Sequence, residues 1–199
     1  FDVSEAAFLE LTDAAADLGV ELVVLDDGWF GGRDDDTCSL GDWYENAEKL
    51  PAGLDGLARK VHERGVGFGV WVEPEMISPD SRLYEAHPDW CLHVPGRPAG
   101  DDAPLGRNQL VLDLSRTDVQ DWMIDTFSGL FARAGVDYVK WDMNRYLAPI
   151  ASPALPAERR GEIAHRYVLG LYRVLGALRD RFPNVLFERC SGGGGRFDA

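Results

Sequence analysis

Apolar residues recur along this chain with two alternating spacings, one helical and one typical of strands. Four segments have the helical spacing, and they are residues 4–18, 54–64, 119–134 and 163–178. In the first of them, the face predicted to pack consists of Phe8, Leu11, Ala15 and Leu18. Four short apolar runs predict buried strands, at residues 21–26, 66–72, 136–142 and 184–190. This order of helix and strand is typical of a parallel sheet with crossover helices.

Two long stretches lack either spacing. Residues 30–53 are polar and rich in glycine, which predicts a loop. Residues 79–109 are rich in proline and show no periodicity, so we expect a second long loop, of a length that is unusual unless it is functional. Residues 110–115 carry a short apolar run that is compatible with one more strand.

Polar residues follow each predicted strand and decide between two architectures, an open doubly wound sheet and part of a (β/α)8 barrel. They are Asp26, Asp27, Glu73, Lys140, Asp142, Glu188 and Cys190. In a barrel, these strand ends converge on one mouth. An open sheet often carries a GxGxxG turn after its first strand, and the run at 21–26 lacks one. We therefore predict an α/β fold in which residues 1–199 form part of a single TIM barrel.

Composition narrows the classes of function. The chain has 199 residues, 45% of them hydrophobic and 11% aromatic, as in globular proteins. Its net charge of −14 argues against nucleic-acid and acidic-membrane partners. There is no apolar run of about 18 residues, so no transmembrane helix is predicted. The three Cys and four His lack the spacing of a metal site, so we expect no metal.

The sharpest candidate for chemistry is the sequence KWD at residues 140–142. Lys140 and Asp142 are two residues apart, so on a strand they share a face. A neighbouring ammonium group would favour the ionised form of Asp142. An ionised carboxylate at a barrel mouth suits the nucleophile of a glycosidase, although a structural ion pair is the alternative. Glu73 and Glu75 are rival catalytic carboxylates.

Other strand ends and loops carry weaker signals. The adjacent Asp26 and Asp27 could bind metal, transfer protons or accept hydrogen bonds from sugar hydroxyls, or they could be ordinary turn residues. Trp71 could stack on a sugar or simply pack in the core. Arg107 lies in a polar loop and suits carboxylates, phosphates or hydroxyl pairs, or a surface ion pair. The glycines after Cys190 allow a ligand to approach the backbone closely.

Five motifs occur in order and carry a resemblance: VLDDGWFGGR, WVEPEMISPDS, GRNQLVLDLSR, DYVKWDMNR and ERCSGGGGRFD. Over the whole of its length the chain resembles the bacterial α-galactosidases of glycoside hydrolase family 36. The resemblance implies a (β/α)8 catalytic domain of which this chain holds about strands two to five. The first strand, the later strands, an N-terminal β-sandwich and a C-terminal β domain would lie outside the chain.

The resemblance also implies an activity, namely hydrolysis of terminal α-1,6-linked galactose with retention and without a cofactor. Asp142 matches the nucleophile of the family. The positions that match sugar-binding residues are Asp26, Asp27, Trp71, Arg107, Lys140, Cys190 and Gly193. The family's acid/base aspartate belongs to a later segment, and Asp198 does not match it. A raffinose-synthase-like galactosyltransferase, an α-N-acetylgalactosaminidase and, for the chain alone, a non-catalytic sugar-binding fragment stay open. A cytoplasmic location and a homo-oligomeric full-length protein are compatible with the resemblance.

Overall fold

The computed structural model describes residues 1–101 and 105–191. The helices are α1 (Glu5–Asp17), α2 (Gly53–His62), α3 (Arg82–Ala86), α4 (Thr117–Ala134) and α5 (Ile163–Arg181). The strands are β1 (Leu22–Leu25), β2 (Gly67–Val72), β3 (Met76–Ile77), β4 (Leu110–Val111), β5 (Tyr138–Trp141) and β6 (Leu186–Arg189). Within these two stretches, no helix has both the length and the apolar character that crossing a bilayer requires.

Four strands form one parallel sheet, in the order β1-β2-β5-β6. In register, Gly69 of β2 lies between Val24 of β1 and Tyr138 of β5. A helix precedes each of the four strands along the chain. These features confirm the predicted α/β fold, and they are the arrangement found in part of a (β/α)8 barrel.

The two faces of the sheet have different surroundings. On one face, alternate apolar side chains such as Phe68, Val70 and Val139 are fully buried in a core that also includes residues of α2, α4 and α5. The opposite face includes Gly69, where a Cβ would lie 3.0 Å from both Val24 and Tyr138. Glycine at this position therefore allows the larger neighbouring side chains to close over β2.

Residues 76–111 contain structure that the pattern did not predict. Met76 pairs with Val111, and Ile77 pairs with Leu110, in an antiparallel two-stranded sheet. The run at 110–115 is thus a strand only at Leu110–Val111, and it lies outside the parallel sheet. The expectation of a structureless loop over 79–109 was also wrong, because α3 and two 3₁₀ turns lie there.

The predicted packing face of α1 is also corrected. Phe8 and Ala15 pack against the core, but Leu11 is 60% exposed and Leu18 is 84% exposed. The fully buried side chain of this helix is Thr12, whose hydroxyl donates to the carbonyl of Phe8 at 2.7 Å. The helix packs on β1 and α2 with the side that carries Phe8 and Thr12, which leaves Leu11 directed away.

Two glycines of α5 provide a test of how closely this helix packs against the rest of the chain. A Cβ on Gly170 would lie 1.9 Å from the carbonyl oxygen of Leu114, whereas a Cβ on Gly176 meets no described atom within 4 Å. We expect Gly170→Ala to destabilise the protein by about 1–3 kcal/mol, because the helix must move away from a fixed backbone. Gly176→Ala should instead stabilise it by up to about 1 kcal/mol through helix propensity. Urea unfolding of both variants measures this difference, and equal stabilities would contradict it.

Candidate active site

Asp142 lies directly after β5, at the carboxyl edge of the parallel sheet. Its backbone N–H donates to the carbonyl of Val72 at 2.8 Å, which continues the β2–β5 ladder by one residue. The residue is 7% exposed. Trp71 Nε1 donates to Oδ2 at 3.1 Å, Asn144 Nδ2 donates to the same oxygen at 2.8 Å, and Met143 N donates to Oδ1 at 2.9 Å.

These donors determine the charge of the Asp142 carboxyl. Burial by itself would raise its pKa. Hydrogen bonds from the side chains of Asn144, Trp71 and Cys190 and from the backbone of Met143 outweigh burial, and the pKa lies below its ordinary value. The group is therefore an ionised carboxylate at neutral pH.

Lys140 interacts electrostatically with Asp142, as expected, but its ion-pair partner is Asp26. The Lys140 ammonium pairs with Asp26 at 3.0 Å. Burial tends to lower the pKa of Lys140, but Asp26, Asp142 and Glu188 raise it above its ordinary value. Asp26 follows β1 and Lys140 lies on β5, with β2 between them, so the long Lys140 side chain reaches across β2 to form this pair.

Asp26 and Asp27 do not act as a pair. Asp26 pairs with Lys140, while Asp27 accepts two hydrogen bonds from Arg33, at 2.9 and 2.7 Å. The Arg33 side chain is fully buried, and its Nη1 also donates to the carbonyl of Cys38 at 2.7 Å. The two carboxylates are thus held by different cations. Over the part of the chain that the structure describes, His, Cys, Asp and Glu form no cluster suited to a metal ion.

Trp71 is a core residue whose polar edge points at the site. The residue is 2% exposed, and its ring lies parallel to that of Phe30, with centroids 6.3 Å apart. Trp29 Nε1 donates to its carbonyl at 3.0 Å. The structure thus supports the packing interpretation. It also adds a contact to the nucleophile candidate, because the indole Nε1 of Trp71 donates to Asp142. Stacking against a sugar stays a prediction.

The rival carboxylates, Glu73 and Glu75, are both fully buried. Glu75 accepts hydrogen bonds from Trp141 Nε1 at 3.0 Å and from the Tyr167 hydroxyl at 2.6 Å, which joins β5 to α5. Glu73 accepts a hydrogen bond from the backbone N–H of Asn144. Burial, with the charge of Asp142, raises its pKa to about 7 despite the Asn144 hydrogen bonds. Both carboxyls are thus more deeply buried than Asp142, and Glu73 is only partly ionised near neutral pH.

Three predicted site residues remain, namely Arg107, Cys190 and Gly193. The Arg107 side chain is 47% exposed and forms an ion pair with Asp36 at 3.3 Å, so its role in sugar binding stays a prediction. The backbone N–H of Cys190 donates to the carbonyl of Trp141 at 2.9 Å, and its side chain forms a hydrogen bond with Asp142. Gly193 lies outside the described residues, as do Gly195, Arg196 and Asp198.

Sequence reasoning missed three residues that support the site, namely Arg33, Gln109 and Asn144. Arg33 is the last letter of VLDDGWFGGR, and Asn144 is two residues after Asp142, so both lay within the motifs. Gln109 Nε2 donates to Glu73 at 3.3 Å. The bonds of Gln109 and of the Asn144 backbone to Glu73 join distant parts of the chain, whereas Arg33 with Asp27 and Asn144 with Asp142 are local pairs that the sequence pattern did not single out.

A family model, described as melibiase, matches residues 1–199. The chain belongs to the melibiase family. It is 62% identical over 198 residues to α-galactosidase AgaA of Geobacillus stearothermophilus and 52% identical over 198 residues to α-galactosidase Mel36A of Lactobacillus acidophilus. Each match includes all of this melibiase chain but only 27% and 26% of those two relatives. The chain thus spans about a quarter of their length.

Solved structures agree with this assignment of the melibiase chain. The crystal structure of the GH36 α-galactosidase AgaA superposes with a TM-score of 0.95 at 62% identity, over 100% of this chain and 27% of that one. Crystal structures of AgaA variants in complex with raffinose and with stachyose superpose with a TM-score of 0.94. The resemblance to glycoside hydrolase family 36 is confirmed.

The buried Arg33–Asp27 pair of this melibiase chain leads to a stability prediction. We expect Arg33→Ala to destabilise the protein by about 3 kcal/mol, because it leaves Asp27 without its cation in a partly buried position. Arg133 pairs with Glu45 at 2.8 Å, but its side chain is 50% exposed. Arg133→Ala should therefore cost about 0.5 kcal/mol. Thermal unfolding of the two variants measures the contrast, and a loss for Arg133→Ala as large as that for Arg33→Ala would refute it.

Proposed function

We propose that this chain carries the nucleophile, Asp142, of a retaining α-galactosidase. The observation that carries the proposal is a buried carboxylate, held ionised by converging donors at the carboxyl edge of a parallel sheet. The α-galactosidase relatives support it, at 62% and 52% identity over the whole chain. The activity belongs to the whole protein, of which the chain would form part of a single (β/α)8 catalytic domain.

The proposed reaction is a double displacement. The Asp142 carboxylate attacks C1 of a terminal α-galactoside, and the bond from C1 to the leaving oxygen breaks. A carboxylic acid outside this chain protonates that oxygen as it leaves. The same group then removes a proton from water, which attacks C1 and frees Asp142. Two inversions at C1 give net retention.

The donors around Asp142 prepare the carboxylate for this attack. Trp71 and Asn144 both bind Oδ2, while the backbone of Met143 binds Oδ1. Both oxygens are thus fixed, so the plane of the carboxylate cannot rotate freely. Holding a nucleophile in one orientation lowers the entropic part of the barrier. The same hydrogen bonds keep it deprotonated below neutral pH.

A terminal α-1,6-linked galactose is the proposed substrate. AgaA variants bind raffinose and stachyose, which supports this class of small, uncharged sugar for a chain so similar to AgaA. The proposed sugar contacts are Asp26, Asp27, Trp71, Arg107, Lys140, Cys190 and Gly193. Two of them, Asp26 and Lys140, are partly exposed at the edge of the sheet that also holds Asp142. We further propose a cytoplasmic enzyme that assembles from identical chains.

Replacing the proposed nucleophile tests this function directly, in an α-galactosidase of the relatives' length that contains this chain. Asp142→Ala should lower kcat for a nitrophenyl α-galactoside by at least about 1,000-fold, because no covalent intermediate can form. Added azide should restore turnover and yield β-galactosyl azide, since the small anion enters the space left by the carboxylate. Activity of Asp142→Ala near that of the wild type would contradict the assignment.

A fluorinated galactosyl inactivator provides the matching control. The covalent adduct should appear on the peptide that contains Asp142, and Asp142→Asn should prevent labelling. An adduct on the peptide with Glu73 and Glu75 would show that one of these rivals is the nucleophile instead.

The isolated 199-residue chain should show no turnover of a nitrophenyl α-galactoside. The reason is structural, because β1 and β6 are the outer strands of the sheet and each leaves one edge unpaired. In addition, the family's acid/base matches no residue of the chain. The assay compares the chain with an enzyme of the relatives' length at equal concentration. Measurable turnover that is lost in Asp142→Ala would overturn this prediction.

A further inference from the structure

We propose that Asn144 is a positioning residue for Asp142 and that Glu73 positions Asn144 in turn. Through this relay, the carboxyl group at the end of β2 would fix the orientation of the nucleophile at the end of β5. The inference rests on the proposed function and extends it to two residues that the sequence pattern did not select as partners of Asp142.

The first contact of the relay is between side chains. Asn144 Nδ2 donates to Asp142 Oδ2 at 2.8 Å, and Trp71 Nε1 donates to the same oxygen at 3.1 Å. The two donors are held differently. Trp71 belongs to β2 and is fixed by its packing in the core, whereas Asn144 lies in the segment after β5 that has no regular structure. Asn144 therefore needs another contact to keep its amide in place.

Glu73 supplies that contact. It directly follows β2, is fully buried, and accepts a hydrogen bond from the backbone N–H of Asn144. Its other oxygen accepts from Gln109 Nε2 at 3.3 Å. A buried carboxyl group is costly unless it forms hydrogen bonds, and these bonds tie residue 144 to the rigid end of β2. The loop after β5 is thus anchored at the residue whose side chain binds Asp142.

The Gln109 side chain can form a hydrogen bond with Glu73 whether the Glu73 carboxyl is ionised or protonated. Its Oε1 is buried and meets no hydrogen-bond donor among the residues that the structure describes. Rotation of the amide by 180° would turn this oxygen toward Glu73, where it could accept from a protonated carboxyl. The pKa of Glu73 is raised to about 7, so both states occur near neutral pH. Other charged or titratable groups that act on the relay are Arg33, Lys140 and Cys190.

The relay is tested in an α-galactosidase of the relatives' length, by kcat, KM and the pH profile of kcat/KM. Asn144→Ala should lower kcat/KM by about 100-fold, mainly through kcat, because the nucleophile is misplaced. Its acidic limb should move to higher pH, since a hydrogen bond that lowers the pKa of Asp142 is lost. A purely structural role would leave that limb unchanged.

Glu73 is tested with two variants of different chemistry. Glu73→Met keeps the volume but removes both acceptors, so it should shift the acidic limb in the same direction as Asn144→Ala. The double variant Glu73→Met with Asn144→Ala should lose no more kcat/KM than Asn144→Ala alone, because the two residues act in series. Glu73→Gln keeps an acceptor oxygen and should lose less activity than Asn144→Ala. If Glu73→Met does not fold, the comparison between Glu73→Gln and Asn144→Ala decides.

The matched control is Asp113→Asn, which changes a fully buried carboxylate that accepts from Ser115 and Ser152. It should leave the acidic limb in place. An unshifted limb in Asn144→Ala, multiplying losses in the double variant, or a Glu73→Gln loss as large as that of Asn144→Ala would each overturn the relay. Wild-type protein without activity, or an active Asp142→Ala variant, would instead refute the proposed function.

Discussion

The hydrogen-bonded ladder between β2 and β5 determines how the central polar groups of the site are aligned. It aligns Trp71 with Lys140 and continues beyond both strands through the bond from Asp142 N to Val72 O. Because residues aligned on parallel strands share a face, two rows of side chains result. The lower row contains Asp26, Trp71, Lys140 and Glu188, and the upper row contains Glu73, Asp142 and Cys190. A shift of one residue in this register would turn the carboxylates toward the apolar core.

The upper row gives two neighbouring carboxyl groups opposite properties. Asp142 and Glu73 are both buried, and burial raises the pKa of each. Asp142 accepts hydrogen bonds from three side chains and a backbone N–H, which bring its pKa below the ordinary value. Glu73 has fewer donors and faces the charge of Asp142, so its pKa rises to about 7. Such a separation lets one group remain an anion while the other titrates near neutrality.

The sequence predicted the parallel part of the fold because each element presents an apolar stripe to the same core. It failed where a contact depends on what lies opposite. The apolar spacing of α1 does not reveal which side is covered, so Leu11 and Leu18 were placed wrongly. The antiparallel pair of β3 and β4 has two residues on each strand, which lie more than 30 residues apart in the chain, and it is too short to produce a pattern.

For the site, the motifs contained the residues but did not show which of them form hydrogen bonds or ion pairs with one another. Lys140 and Asp142 share a face, yet the Lys140 ammonium extends across β2 and pairs with Asp26 at 3.0 Å. Arg33 and Asn144 could have been selected as polar residues within the motifs. Their roles depend on burial and on bonds such as the one from Asn144 to Glu73, which spans 71 residues.

The accuracy with which Asp142 is held depends on its least constrained donor. Three donors have rigid supports: Trp71 packs against Phe30 and Trp43, Met143 N lies beside the carboxylate in the chain, and the N–H of Cys190 is tied to the carbonyl of Trp141. Asn144 lies in irregular structure beyond β5, and its backbone N–H is held by Glu73. A motion of that loop would release one bond to Oδ2 without unfolding anything else. The buried carboxyl of Glu73 is located where it opposes that motion, which gives its unfavourable burial a physical purpose.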